Sequence, residues 1–145
     1  MLSKPDNGFT DFKLEGTSQY TLDFVDDIPF EWVRQAIHGL ETKNPFCVIG
    51  ETDPGTFICV VGWDCHIIWE KGPDLTEPGG IGHEYVKVNM VEFSKMLYSD
   101  IKENVNDWVD FYWGHPENVD ERRDELEKLL ERLKELIEND KQTFL

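Results

Sequence analysis

The run Val61-Gly62-Trp63-Asp64-Cys65-His66-Ile67-Ile68-Trp69 sets a thiol beside an imidazole, with a carboxylate next door. Nucleophilic catalysis by cysteine needs thiol and imidazole in hydrogen-bond contact. The β-branched and aromatic content of the run predicts a strand from Cys65 to Glu70, and neighbours in a strand point to opposite faces. Cys65 and His66 therefore do not form a dyad. A thiol enzyme would need Cys65 to meet a distant imidazole, His83 or His115, with backbone donors near Gly79 for an oxyanion. No family signature surrounds the cysteine, and a free cysteine in such a strand serves as a small hydrophobe.

Other chemistries fare no better. Three cysteines and four histidines match no zinc spacing, and Asp53-Pro54-Gly55 is too short to open a calcium loop. No dedicated metal or cofactor site is expected. With 30 acids in the chain, chance approach of two carboxylates carries no specificity for acid and base work. Gly79, Gly80 and Gly82 lack both the spacing of a dinucleotide loop and the lysine of a phosphate loop, and Asp74, Glu77 and Glu84 beside them would repel phosphate.

The elements that must hold these residues read as an α+β domain spanning 1–145. Residues 1–8 are polar and read as a loose N-terminus. Phe9 to Leu14 and Gln19 to Val25 flank Gly16-Thr17 as a hairpin. Pro29 after Asp26 and Asp27 signals a helix start, and Phe30, Val33, Ala36, Ile37 and Leu40 follow at helical spacing until Asn44-Pro45 ends the run. His38 falls on the opposite, solvated side. Phe46 to Glu51, Thr56 to Val61 and Cys65 to Glu70 are joined by turns too short for a parallel crossover, which makes an antiparallel meander.

Lys71 to His83, with two prolines and four glycines, reads as an irregular loop, and Tyr85 to Met90 as a further strand. Phe93, Leu97, Ile101, Val105, Trp108 and Tyr112 predict one long amphipathic helix ending at Gly114-His115-Pro116. A last helix, 118–140, carries Leu126, Leu129, Leu130, Leu133, Leu136 and Ile137 on one side and docks on the body of the domain. The expected architecture is a meander sheet of five or six strands with one inserted helix and two C-terminal helices.

Charge is the least ordinary property: 30 acids against 14 bases give a net charge of −16 and a pI near 4.4. Residues 1–115 hold 20 acids and 8 bases, so the excess lies on the body of the domain. Such a field repels nucleic acid and anionic lipid and steers basic partners inward. The chain shows no leader and no apolar run of membrane-spanning length, so a cytoplasmic protein with free thiols is expected. The sequence leaves an oxidised Cys59–Cys65 pair open.

What remains is a surface argument. Asp26, Asp27, Glu51, Asp53, Asp74, Glu77 and Glu84 lie at turns and helix starts. Trp63 falls at a turn and Trp113 at a helix end, where full burial is least assured. Aromatic anchors ringed by carboxylates suit a basic protein partner.

In plan the chain resembles the immunity proteins of bacterial polymorphic toxin systems, which are small acidic α+β domains. The resemblance rests on PFEWVRQAI (29–37) leading into FCVIGETDPGTFICVVGW (46–63) and covers about residues 9–113. It implies a direct protein inhibitor of a cognate toxin domain, often a nuclease, with no catalytic residues of its own. The C-terminal helix has no counterpart in that plan. A nucleic-acid mimic that blocks a DNA-binding protein, and a small enzyme using Cys65 or a carboxylate pair, are the competing readings.

Overall fold

A computed structural model of the chain describes residues 1–111 and 117–140. Its centre is a four-stranded antiparallel meander, preceded by a separate two-stranded hairpin. Numbered along the chain, the hairpin is β1 (Phe9–Phe12) with β2 (Tyr20–Asp23), and the sheet runs β3 (Phe46–Glu51), β4 (Thr56–Val61), β5 (Cys65–Lys71), β6 (Gly80–Val86). The α+β class holds, but the six strands divide into two sheets instead of forming one.

The turn Thr52–Gly55 behaves as its residues require, with Gly55 at φ +124° and the Thr52 N–H donating to the Gly55 carbonyl at 2.8 Å. The expected irregular stretch ends earlier than His83. Gly80 and Gly82 lie in β6, in unbroken register with Lys71 and Trp69, and the strand stops at Val86, short of Met90. Cross-strand pairing with β5 overrides the weak strand preference of glycine.

Helix α1 (Ile28–Thr42) starts after Asp27, with proline in its first turn, and ends at Lys43 in the left-handed conformation, whose N–H reaches the Gly39 carbonyl. Its apolar side (Phe30, Trp32, Val33, Ala36, Leu40) is buried while His38 faces solvent. Trp32 stacks on Phe57 of β4 at 6.2 Å, meets Phe12 of the hairpin at 5.9 Å, and donates its indole N–H to the Ile49 carbonyl at 2.9 Å.

The predicted single long helix is two. α2 (Met90–Glu103) opens with a reciprocal cap: the Glu92 N–H donates to the Asn89 side chain, and the Asn89 N–H donates to the Glu92 carboxylate. Asn104, at φ −131°, breaks the run before α3 (Val105–Val109), whose Trp108 is fully buried and donates its ring N–H to the Asp100 carbonyl. α4 (Val119–Glu138) lies across α1, α2 and α3 and buries Leu126, Leu130 and Leu133. Asp27 holds Arg122 of α4 through two bonds of 3.2 and 3.3 Å, and the same guanidinium lies 4.3 Å over the Phe30 ring.

The N-terminal residues are not loose. The Ser3 N–H donates to Asp11, Leu2 bridges Phe12 and is buried, and the Leu2 N–H donates to the Asp100 carboxylate at 2.9 Å. Leu2 supplies the apolar burial that the polar composition of residues 1–8 conceals.

One core runs from Leu2 to Leu133, on one side of the sheet. The hairpin crosses that side, with Leu22 over Gly50 of β3 and Tyr20 against Phe57 at 5.1 Å. Helix α1 approaches β3 so closely that a β-carbon on Gly39 would lie 2.3 Å from the Phe46 ring, itself packed on Phe93. Alanine normally stabilises a helix interior by about 1 kcal/mol over glycine, whereas overpacking costs about 1–3 kcal/mol. Gly39→Ala is expected to destabilise the protein by roughly 1–2 kcal/mol in denaturant titration, the opposite of its helix propensity.

Candidate protein-binding face

Strand alternation divides the sheet into two chemically distinct sides. Inward lie Phe46, Val48, Phe57, Cys59, Val61, Cys65 and Ile67, all buried. Outward, the register sets Ile49, Ile58, Ile68 and His83 in one row and Cys47, Val60, His66 and Tyr85 in the next. A third row holds Glu51, Thr56, Glu70 and Ile81. Ile49 is 46% exposed, Tyr85 49% and Ile81 73%, so no described element covers this side. A sheet face with isoleucine at its centre and carboxylates in its outer row is unusual for a surface that meets only water.

The histidines meet here. His66 Nδ1 and His83 Nε2 lie 3.3 Å apart in stacked rings whose centroids are 5.5 Å apart, with the Tyr85 ring 5.0 Å from His66. Desolvation, together with a hydrogen bond to Asp64, raises the Tyr85 hydroxyl above its ordinary pKa. Among the described residues no three His, Cys, Asp or Glu side chains gather as metal ligands.

Cys65 points the other way from His66, as strand geometry requires. Its thiol is buried and donates to the Val88 carbonyl at 3.2 Å. The Cys65 thiol beside it, and burial, push the Cys59 thiol far up, and burial raises Cys47. All three thiols are free. His115 lies outside the described residues.

The carboxylates singled out from the sequence have different fates. Asp27 is tied to Arg122. Glu84 faces inward, where its carboxylate accepts from the Ser18 N–H at 2.9 Å, the Ser18 hydroxyl and the Tyr20 hydroxyl, anchoring the hairpin under β6. Those bonds hold Glu84 below the ordinary carboxylate range, while burial first, and then the bond to Glu84, raises Tyr20. Asp74 organises its own loop: its carboxylate accepts from the Thr76 N–H, the Thr76 hydroxyl and the Glu77 N–H, and Lys71 pairs with both Asp74 and Glu77. Both acids are held below their usual range, Asp74 chiefly by the Thr76 bonds and Glu77 by Lys71.

Asp26 and Glu51 come together with Asp23 and Glu31 at the β3 end of α1. Burial first, then the neighbouring carboxylates, raises Asp26, Glu31 and Glu51. Asp53 is exposed in the β3–β4 turn and lines a cleft of about 510 Å3 with Phe9, Tyr20, Pro54, Trp69 and Lys71. Trp63 is 61% exposed at the β4–β5 turn. Trp113 lies outside the described residues. The outer face itself was missed by sequence reading, although the alternation Ile49, Glu51 and Ile58, Val60 against the buried positions signals a sheet apolar on both sides.

Two outcomes follow from these environments. In native protein Cys59 and Cys65 are expected to resist a thiol reagent until denatured, with Cys47 alone reacting, slowly at neutral pH. Asp26, Glu31 and Glu51 bind protons more readily folded than unfolded, so the stability they contribute is full below their ordinary values of 3.8 to 4.5 and is lost as pH rises through the raised ones. Asp26→Asn should therefore raise stability at pH 7 by up to about 1 kcal/mol in low salt, with the gain vanishing at pH 3 and only the part due to the neighbouring carboxylates lost in molar salt when thermal unfolding is followed.

Comparison with known proteins gives no matching family model, no curated protein with significant sequence similarity and no solved structure with significant similarity of fold.

Proposed function

We propose that the chain is a binding protein whose outer sheet face receives a basic protein, in the manner of an immunity protein that neutralises a cognate toxin domain. The uncovered face carries this reading. Ile49, Ile58, Val60 and Ile68 offer an apolar centre, and Glu51 and Glu70 sit at its border. Apolar contact at the centre supplies affinity, while a net charge of −16 speeds encounter with a positive partner and discriminates against acidic ones. A toxin nuclease, whose own nucleic-acid site is basic, is the partner class that such a surface would meet. A nucleic-acid mimic would instead need carboxylates across the face, where isoleucine stands. Among the described residues no helix is long and apolar enough to cross a membrane.

The test is capture on immobilised protein from native lysate at low and moderate salt, comparing the parent with the double variant Ile49→Lys, Ile68→Lys. One basic protein retained by the parent at moderate salt and lost from the variant is the expected result. Equal retention on both, or only abundant basic proteins that wash off together, would refute the role of the face. Lysine at Glu77 should slow association several-fold at low salt and little at high salt, whereas Asp74 orders its own loop and is not a clean site for reversal. Glu84 is unsuited to such reversals because it anchors the hairpin.

A further inference from the structure

The two edges of the four-stranded sheet are finished differently. Mutual backbone pairs in an antiparallel ladder recur at every second residue. The Thr52 N–H to Gly55 bond fixes that phase for β3 and β4, so Val48 pairs mutually with Cys59, and Ile49 turns its backbone outward. There the Trp32 indole occupies the Ile49 carbonyl, α1 runs alongside, and Pro45 precedes the strand. This edge is closed.

The Gly62 N–H to Asp64 bond fixes the phase for β4 and β5 in the same way. Val60 pairs mutually with His66 and Ile58 with Ile68, which leaves Cys65, Ile67, Trp69 and Lys71 to bond β6. Their partners are Val86, Glu84, Gly82 and Gly80. Ile81, His83 and Tyr85 consequently aim their N–H and C=O groups away from the sheet. Among the described residues no hydrogen bond reaches these groups, and no helix or strand lies along them. The strand has no proline, no lysine and no bulge to protect its edge, and its one inward-pointing charge, Glu84, is taken up by Ser18 and Tyr20. The same three residues put their exposed side chains on the outer face.

We infer that the β6 edge is a strand-addition site, which takes an extended segment of a partner protein in which apolar residues alternate with lysine or arginine. Backbone bonds to Ile81, His83 and Tyr85 would hold the segment, and its side chains would lengthen the rows of the outer face. Charge selects the occupant. Glu70 is the register partner of Ile81, Asp64 bonds Tyr85, and Asp74 and Glu77 sit in the loop entering β6. The nearby bases are Lys87 and Lys71, the latter already paired with Asp74 and Glu77. A second copy, also at −16, is repelled. The inference rests on the protein-binding reading and names how the partner is held.

The experiment follows backbone amide exchange by NMR in the full chain, with and without an acetylated, amidated peptide of alternating lysine and valine. In free protein the amides of Ile81, His83 and Tyr85 should exchange rapidly and those of Gly82 and Glu84 slowly. Peptide should slow the first three by about tenfold or more, and the glutamate–valine counterpart should not. His83→Pro removes one outward N–H and no bond to β5, and should abolish the protection with unchanged circular dichroism. Should that variant misfold, Ile81→Lys with Tyr85→Lys leaves every backbone bond in place and should weaken binding about tenfold. The inference is overturned if peptide fails to bind, if it binds without protecting these amides, or if they are protected in free protein. Protection that grows with protein concentration alone would assign the edge to a second copy and overturn it too. A captured basic protein that binds the edge variants as well as the parent would sink the edge and leave the protein-binding reading standing.

Discussion

Everything in this fold converges on the Trp32 side chain. Its ring lies among Phe12, Phe57 and Phe93, so the hairpin, the sheet and α2 meet on one indole supplied by α1. Burying about 200 Å2 of indole at about 25 cal/mol per Å2 is of order 5 kcal/mol, comparable with the whole net stability of a small domain. The indole nitrogen cannot be buried without an acceptor, and the one it finds is the Ile49 carbonyl. A single residue therefore unites three parts of the core and finishes one side of the sheet.

The acidity that dominates the composition is not one property. Asp27, Asp74, Glu84 and Glu92 act as hydrogen-bond acceptors that join helices, order a loop, moor the hairpin and cap α2. Asp26, Glu31 and Glu51 crowd one another and oppose folding near neutral pH. Net charge alone cannot separate these two populations, because the distinction lies in which donors the fold brings within reach.

Much of the architecture was legible because local chemistry and tertiary context agree. β3 and β4 match their predicted limits, and α1 follows its proline start and its stop before Asn44-Pro45. The failures fall where long-range pairing decides. Gly80 and Gly82 become strand only because β5 lies beside them, Leu2 is anchored by a partner at Phe12, and Asn104 divides two helices whose apolar spacing reads as continuous. The cap at Asn89 was readable from the glutamate three residues on, but the apolar spacing drew attention to Phe93 instead. Of the residues that the sequence offers as a candidate interface, Trp63 does lie at an exposed turn, whereas the outer face and the inward turn of Glu84 depend on sheet register, which a single sequence leaves unspecified.

The unequal edges also determine how far any assembly through this sheet could go. A unit with both edges open is bifunctional in the sense of polymer chemistry: each addition creates a new acceptor, and growth proceeds to a fibre. With Trp32 and α1 closing β3, each copy of this chain is monofunctional. The sheet can be extended once, by one strand from one molecule, and the product presents this chain's closed edge on the other side. Growth terminates at a discrete complex, which lets a highly acidic protein keep an adhesive strand exposed without condensing with its own copies.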